Sequence, residues 1–278
     1  QNIIMTVDVD GLAPSADDVG GRYDVFGIIR STGGDVTLNG NAQRDTFNLD
    51  EEGIIEADDA LIVDLGADKD TILVDGGTLI GATIALRGGS EDDTITLVTD
   101  STLTGAASLE GGTGEDLIVI DRLEAQAAGD SLAVDGGEGT DHIEVQLRGS
   151  QTAGTNYVID VNDTGAEDNG TDTLTLLGTS ERDVFLSRGG FVALLHGEVD
   201  DILDDTASRP DTAERINYNN SINDRITLEG LEGDDVFISD DNSTLMTMDG
   251  GVGNDEFQFG QLFGNEPVAS NGDSGVAA

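Results

Sequence analysis

The sequence predicts an all-β fold, a parallel β-solenoid of about ten coils, and three observations predict it. A short acidic phrase recurs as Gly111-Gly112-Thr113-Gly114-Glu115-Asp116, Gly136-Gly137-Glu138-Gly139-Thr140-Asp141 and Gly250-Gly251-Val252-Gly253-Asn254-Asp255. Each copy lies between apolar runs of period two, the signature of half-buried strands. The closing acids Asp45, Asp70, Asp93, Asp116 and Asp141 are 25, 23, 23 and 25 residues apart. At a rise of roughly 3.3 Å per residue, such a unit holds two or three short strands and their corners. A unit this small buries its apolar face only against its neighbours, so the units must stack. The same strands could instead pair antiparallel in tandem β-sandwich units of immunoglobulin type.

Along the chain, residues 1–33 carry alternating segments, Ile3 to Val9 and Tyr23 to Ile29, and read as an opening coil or contact region. Residues 34–186 hold the solenoid repeats. Val36-Thr37-Leu38, Ile84-Ala85-Leu86 and Leu132-Ala133-Val134 precede a turn, and Phe47-Asn48-Leu49, Ile95-Thr96-Leu97 and Ile143-Glu144-Val145 follow one. Looser turns fill the gaps: Gly88 to Asp93, Gly230 to Asp235, Gly40 to Asp45, Gly66 to Asp70 and Gly178 to Asp183. Leu123 to Ala128 reads as a short helix. Residues 187–222 interrupt the repeat, with a tight turn at Arg188-Gly189-Gly190 and an acidic loop through Asp200, Asp201, Asp204 and Asp205. Repeats resume over 223–263, and 264–278 read as a linker. The three prolines, at 14, 210 and 267, fall outside every proposed strand, as ladder bonding requires.

Composition narrows the function. The formal charge is −45, from 57 acids against 12 bases, so nucleic acid and anionic membrane surfaces are poor partners. Alternation of the 37% hydrophobic residues argues against disorder. No apolar run of about 18 residues exists to insert in a membrane. With no Cys, an extracellular chain needs another staple, and a metal is the obvious one. Both ends read as cut from a larger protein.

The turns have the chemistry calcium needs. That ion takes roughly six to eight oxygen ligands. Glycines allow a left-handed φ that aims carbonyls inward, and the closing Asp adds carboxylate oxygens. One turn supplies too few ligands, but turns stacked about 4.8 Å apart can share an ion. A second acid often follows five residues later, pairing Asp45 with Asp50, Asp70 with Asp75, Asp116 with Asp121 and Asp235 with Asp240. Such pairs predict two carboxylate ladders on opposite edges. Asp172 closes the acidic loop that starts at Asn162. The competing reading is turn chemistry alone, with Gly supplying φ and Asp capping the turn. Arg44 and Arg182, beside Asp45 and Asp183, predict a salt bridge in place of an ion at those corners.

The phrase resembles the repeats-in-toxin calcium motif, G-G-x-G-x-D-x-U-x. The resemblance implies a Ca2+-binding parallel β-roll, with ions at Gly111, Gly112, Gly114 and Asp116, at Gly136, Gly137, Gly139 and Asp141, and at Gly250, Gly251, Gly253 and Asp255. Weaker copies extend it to Gly88, Asp92 and Asp93 and to Gly233, Asp234 and Asp235. The copies here lie about 23 residues apart rather than in tandem, which favours a larger coil with one calcium-capable corner per turn. Residues 172–264 are also similar in general pattern to modules of long secreted bacterial surface proteins.

The function expected is therefore structural and non-enzymatic: an extracellular, calcium-stabilised repeat module of a bacterial surface, adhesive or fibre-forming protein. Its expected partners are calcium, neighbouring modules or copies stacked end to end, and acidic polysaccharide. The alternative is a polysaccharide-binding or polysaccharide-modifying β-helix module. His142 and His196 lack the companions of a zinc site or triad. Thr46, Thr71, Thr94 and Thr173 read as β-formers rather than an ice-binding ladder, because Asn48, Leu73, Thr96 and Thr175 vary beside them.

Overall fold

Strands one coil apart pair in parallel, as expected for units that bury their apolar faces against one another. The computed structural model describes residues 2–6, 20–124, 126–127, 129–152, 155–165, 170–197, 212–240, 242 and 244–260. Among them are 23 strands and no helix. The smaller sheet stacks nine strands, all parallel: β2 (Arg22–Val25), β5 (Thr46–Leu49), β8 (Thr71–Val74), β10 (Thr94–Leu97), β12 (Leu117–Asp121), β14 (His142–Gln146), β16 (Thr173–Leu177), β20 (Arg225–Glu229) and β22 (Met246–Asp249).

The larger sheet has 14 strands. Its path runs β1 (Ile3–Thr6), β4 (Val36–Asn41), β7 (Ala60–Ala67), β9 (Thr78–Ser90), β11 (Thr102–Gly114), β13 (Ser131–Gly139), β15 (Tyr157–Asn162), β19 (Ala213–Tyr218), β18 (Phe191–Leu195), β17 (Val184–Arg188), β21 (Val236–Ser239) and β23 (Glu256–Phe259). β3 (Ile28–Arg30) and β6 (Ile54–Glu56) pair beside it. The fold is thus a parallel β-solenoid, and the parallel register excludes an array of antiparallel sandwiches.

Register explains the core. On the smaller sheet Phe47, Ile72, Ile95, Ile118, Ile143, Leu174 and Ile226 superpose coil on coil, all buried. On the larger sheet Leu38, Val63, Leu86, Leu109 and Val134 do the same. A one-residue slip in any coil would turn its apolar set outward, so this alternation pins the register.

The interruption is a strand reversal. β17 and β18 form the hairpin anticipated around Arg188-Gly189-Gly190, and β18 pairs antiparallel with β19 as well. Beyond it parallel stacking resumes, with Phe185, Phe237 and Phe257 stacked at centroid distances of 4.9 and 5.0 Å. The acidic turn changes corner just before the hairpin. Up to Asp172 it leads from the larger sheet into the smaller, as from β11 to β12; from Asp183 on, from the smaller into the larger, as from β16 to β17 and β20 to β21.

Of the stretch Leu123–Ala128, expected as a short helix, the described residues are not helical: Leu123 is buried in an irregular segment with Glu124, Gln126 and Ala127, and the Gln126 N–H donates to the Asn156 carbonyl at 3.2 Å instead of to a helical turn. The acidic loop through Asp200–Asp205, the linker 264–278, and Val9 and Pro14 near the start lie outside the described residues.

Candidate metal centre

Every turn of the phrase except the last, whose Asp255 is half-buried, places its closing acid inside the solenoid. Asp45, Asp70, Asp93, Asp116, Asp141, Asp172, Asp183 and Asp235 are all buried. Their Oδ1 atoms form a ladder. The backbone N–H of each acid donates to Oδ1 of the acid one coil on: Asp45 to Asp70 at 2.6 Å, Asp70 to Asp93 and Asp93 to Asp116 at 2.7 Å, Asp116 to Asp141 at 2.9 Å, and Asp141 to Asp172 at 3.0 Å. The ladder opens on the Gly21 N–H and ends on Asn223, whose Oδ1 accepts from the Asp172 N–H at 3.0 Å. A second ladder runs at the other corner, from the Ser150 N–H to Asp183, then Asp235, then Asp255. Of the two ladders expected on opposite edges, the one of closing acids is present; the second ladder is again of closing acids, not of the expected Asp50, Asp75, Asp121 and Asp240.

This arrangement explains the first glycine. A Cβ on Gly88, Gly111 or Gly136 would meet Oδ2 of Asp93, Asp116 or Asp141 at 2.3, 2.4 or 2.7 Å. Gly230 and Gly250 stand in the same relation to Asp235 and Asp255.

The second position decides what Oδ2 finds. Asn41 and Thr179 have no left-handed φ, and their N–H groups donate to Oδ2 of Asp45 and Asp183 at 2.8 and 2.7 Å. Gly66, Gly89, Gly112, Gly137 and Leu231 have φ of +100°, +125°, +123°, +109° and +75°. Their acids are Asp70, Asp93, Asp116, Asp141 and Asp235, and in each of these five the buried Oδ2 has no hydrogen-bond partner. Peptide orientation at one residue therefore separates closed corners from open ones. The closed corners are those with Arg44 and Arg182, but a backbone amide rather than an arginine satisfies the acid; Arg182 instead donates to the Asp234 carbonyl at 2.8 Å.

A buried carboxylate oxygen with no donor disfavours the charged form. Burial, opposed by the ladder bond and reinforced by neighbouring acids, pushes Asp70, Asp116 and Asp235 up to about 7, Asp93 to about 8 and Asp141 to about 6. A proton or a hard cation must neutralise these oxygens. An oxygen-only donor set with no Cys or His suits calcium-class ions.

The other expected residues sit at the surface. Asp92 pairs with Lys69 and accepts from the Glu115 N–H at 3.1 Å, and Asp234 accepts from the Asn254 N–H at 2.8 Å. Asp121 is half-buried, accepting from the Thr99 hydroxyl at 2.7 Å with its buried Oδ1 3.6 Å from Arg122; Asp240 pairs with Arg188 at 3.4 Å, and Asp50 and Asp75 lie outside the core. Gly114, Gly139, Gly233 and Gly253 make the close approach between successive turns: a Cβ on Gly139 would lie 1.5 Å from the Gly114 carbonyl oxygen, and one on Gly253 1.5 Å from that of Gly233.

Sequence reasoning missed Asp163. It lies just past β15, in the loop that delivers Asp172, and one carboxylate oxygen from each of Asp141, Asp163 and Asp172 lies within 4.8 Å of the others. Its signal was an acid beside Gly165 at the position where other coils have the glycine turn. Burial, then a hydrogen bond and charge from Asp172, push Asp163 up to about 7.

A second buried polar group belongs to the hairpin. Glu214 accepts from the Tyr157 hydroxyl at 2.5 Å, the Arg148 N–H at 2.8 Å and the Gly149 N–H at 3.2 Å, with His196 Nε2 at 3.2 Å. His196 Nδ1 lies 2.6 Å from the Thr152 carbonyl oxygen. Glu214, Tyr157 and His196 are all buried, so the group ties β19 to the preceding corner rather than facing a substrate. Compared with known proteins, the chain matches no family model, no curated protein and no solved structure.

Proposed function

We propose that this chain is a calcium-stabilised structural module, working outside the cell as a stiff, non-enzymatic spacer of a surface, adhesive or fibre-forming protein. The observation that carries this reading is the set of five buried carboxylate oxygens, in Asp70, Asp93, Asp116, Asp141 and Asp235, that no protein donor reaches. Calcium at such corners neutralises interior charge and part of the −45 on the whole chain. Because a corner forms only when coils are in register, binding and folding are one event. Where calcium is about millimolar the module is rigid, and where the ion is scarce it is loosened.

The ends of the stack support assembly with neighbouring modules or copies. Ile4, Phe26 and Ile28 are exposed near the first coil, and Leu245, Val252 and Phe259 near the last. Among the described residues both sheets terminate there in edge strands.

Circular dichroism and thermal melting with and without a chelator test the function. The expected result is a melting temperature that falls by tens of degrees in EGTA and recovers with calcium. One bound ion at a hundred times its Kd contributes about 2.7 kcal/mol, and several corners add. Identical melting curves in EGTA and in millimolar calcium would refute the proposal.

A further inference from the structure

We infer that Asp163, joining the ladder acids Asp141 and Asp172, makes a three-carboxylate divalent-cation site at the end of the ladder, tighter than any of the other corners. The site goes beyond the proposed function, since it requires nothing of the other corners.

Three observations converge on it. First, among the described residues this is the group in which three carboxylates each bring an oxygen within 4.8 Å of the others. A divalent cation bound at about 2.4 Å from each of three oxygens fits within separations up to that limit. Second, Asp141 is buried, its Oδ1 is occupied by the Asp116 N–H, and its Oδ2 has no partner. A donor-less oxygen at this depth needs a positive ligand more than an exposed acid would. Third, the other two acids are held by the backbone. The Gly137 N–H donates to Asp163 Oδ1 at 2.9 Å, the Asp141 N–H donates to Asp172 Oδ1 at 3.0 Å, and the Asp163 N–H donates to the Ser221 hydroxyl at 2.8 Å. Each carboxylate keeps its second oxygen, so the triad is fixed before the ion arrives.

The other ladder corners differ. Each brings its closing acid against the next, without a third carboxylate within the same reach among the described residues. Asp163 is the added charge. It sits at the point where the chain leaves β15 and returns as Asp172, so an ion there would clamp the loop ends onto the preceding coil.

The test is calcium titration calorimetry on the whole chain, stripped of metal. The wild type should display one tight binding class of stoichiometry near one, at least tenfold tighter than the remaining uptake. Asp163→Asn keeps an oxygen for the Gly137 N–H and so keeps the fold, which circular dichroism would verify. It should weaken the tight class tenfold or more while leaving the weaker uptake in place. Asp160→Asn, which removes an exposed acid on the same strand, should leave the isotherm unchanged. A variant carrying Asn at Asp70, Asp93 and Asp116 should lose most of the weak uptake and retain the tight class; retention with no weak uptake even in the wild type would sink the proposed function but not this site. An Asp163→Asn isotherm superimposable on the wild type would overturn the inference, as would loss of the tight class in the triple variant. No calcium uptake by the wild type would overturn both.

Discussion

Replacing Gly112 with Ala should destabilise the solenoid by about 2–6 kcal/mol, as much as many core truncations. Two costs add. Gly112 has φ of +123°, where a residue with a side chain is strained by about 1–3 kcal/mol. The new Cβ would also lie 2.0 Å from the Gly89 carbonyl oxygen and 2.8 Å from its carbon. That obstacle is backbone in the coil before it, locked by register on both sides, so relief means prising two coils apart. Overpacking of this kind typically costs about 1–3 kcal/mol more. Two controls separate the terms. Gly129→Ala carries φ of +104° with nothing within 4 Å, so it should cost only the strain; Gly27→Ala, with open space and no left-handed φ, should be near neutral. Urea unfolding midpoints measure all three. A Gly112→Ala midpoint equal to that of Gly27→Ala would mean that the coils are not stacked at this spacing.

The second large effect is on pH dependence. Asp70, Asp93, Asp116, Asp141 and Asp235 have folded-state pKa values of about 6 to 8, against 3.8 in the unfolded chain. Their folded state therefore holds protons more tightly than the unfolded state. The stabilisation is complete below 3.8, declines as pH rises, and is gone above about 8. In a chelator, melting temperature should fall steeply between pH 5 and pH 8. Surface repulsion acts in the same direction, since acidification also lowers the −45 charge. The diagnostic is the difference from Asp93→Asn, which removes one buried titration and should flatten the slope by up to about 1.4 kcal/mol per pH unit. With saturating calcium the dependence should reverse over pH 5 to 7, because protons then compete with the ion. Equal slopes for wild type and Asp93→Asn would contradict the burial of these acids.

Much of this was legible in residues and spacing. Period-two runs such as Ile95-Thr96-Leu97 fixed which faces are buried, and the 23–25-residue spacing of the closing acids placed one strand of the smaller sheet after each. What alternation cannot encode is which way a turn residue's peptide faces. Asn41 and Gly89 occupy the same place in the phrase, yet one closes its corner with an N–H and the other leaves it open. Spacing likewise gave no warning that the acids lie inside, because an Asp before a strand is equally at home in an exposed turn; the burial follows from Oδ1 replacing a carbonyl as acceptor for the preceding coil's N–H. Asp163 escaped because it arrives from a loop outside the repeat, and only the stacked coils bring it to Asp141. The reversal at β18 rests on an antiparallel pairing between residues 191–195 and 213–217 that local pattern does not specify.

The central claim is that the donor-less interior oxygens, not the acids on the surface, are what calcium serves. The most direct measurement is the rise in melting temperature on adding calcium to the chelated protein at pH 7.5, compared between the wild type and a variant carrying Asn at Asp70, Asp93 and Asp116. The variant keeps an oxygen for each ladder bond and loses three of the five unpartnered carboxylates. The account predicts a large rise in the wild type and loss of most of it in the variant, with the variant more stable than the wild type before calcium is added. An equal rise in both proteins would place calcium on the exposed acids and contradict it.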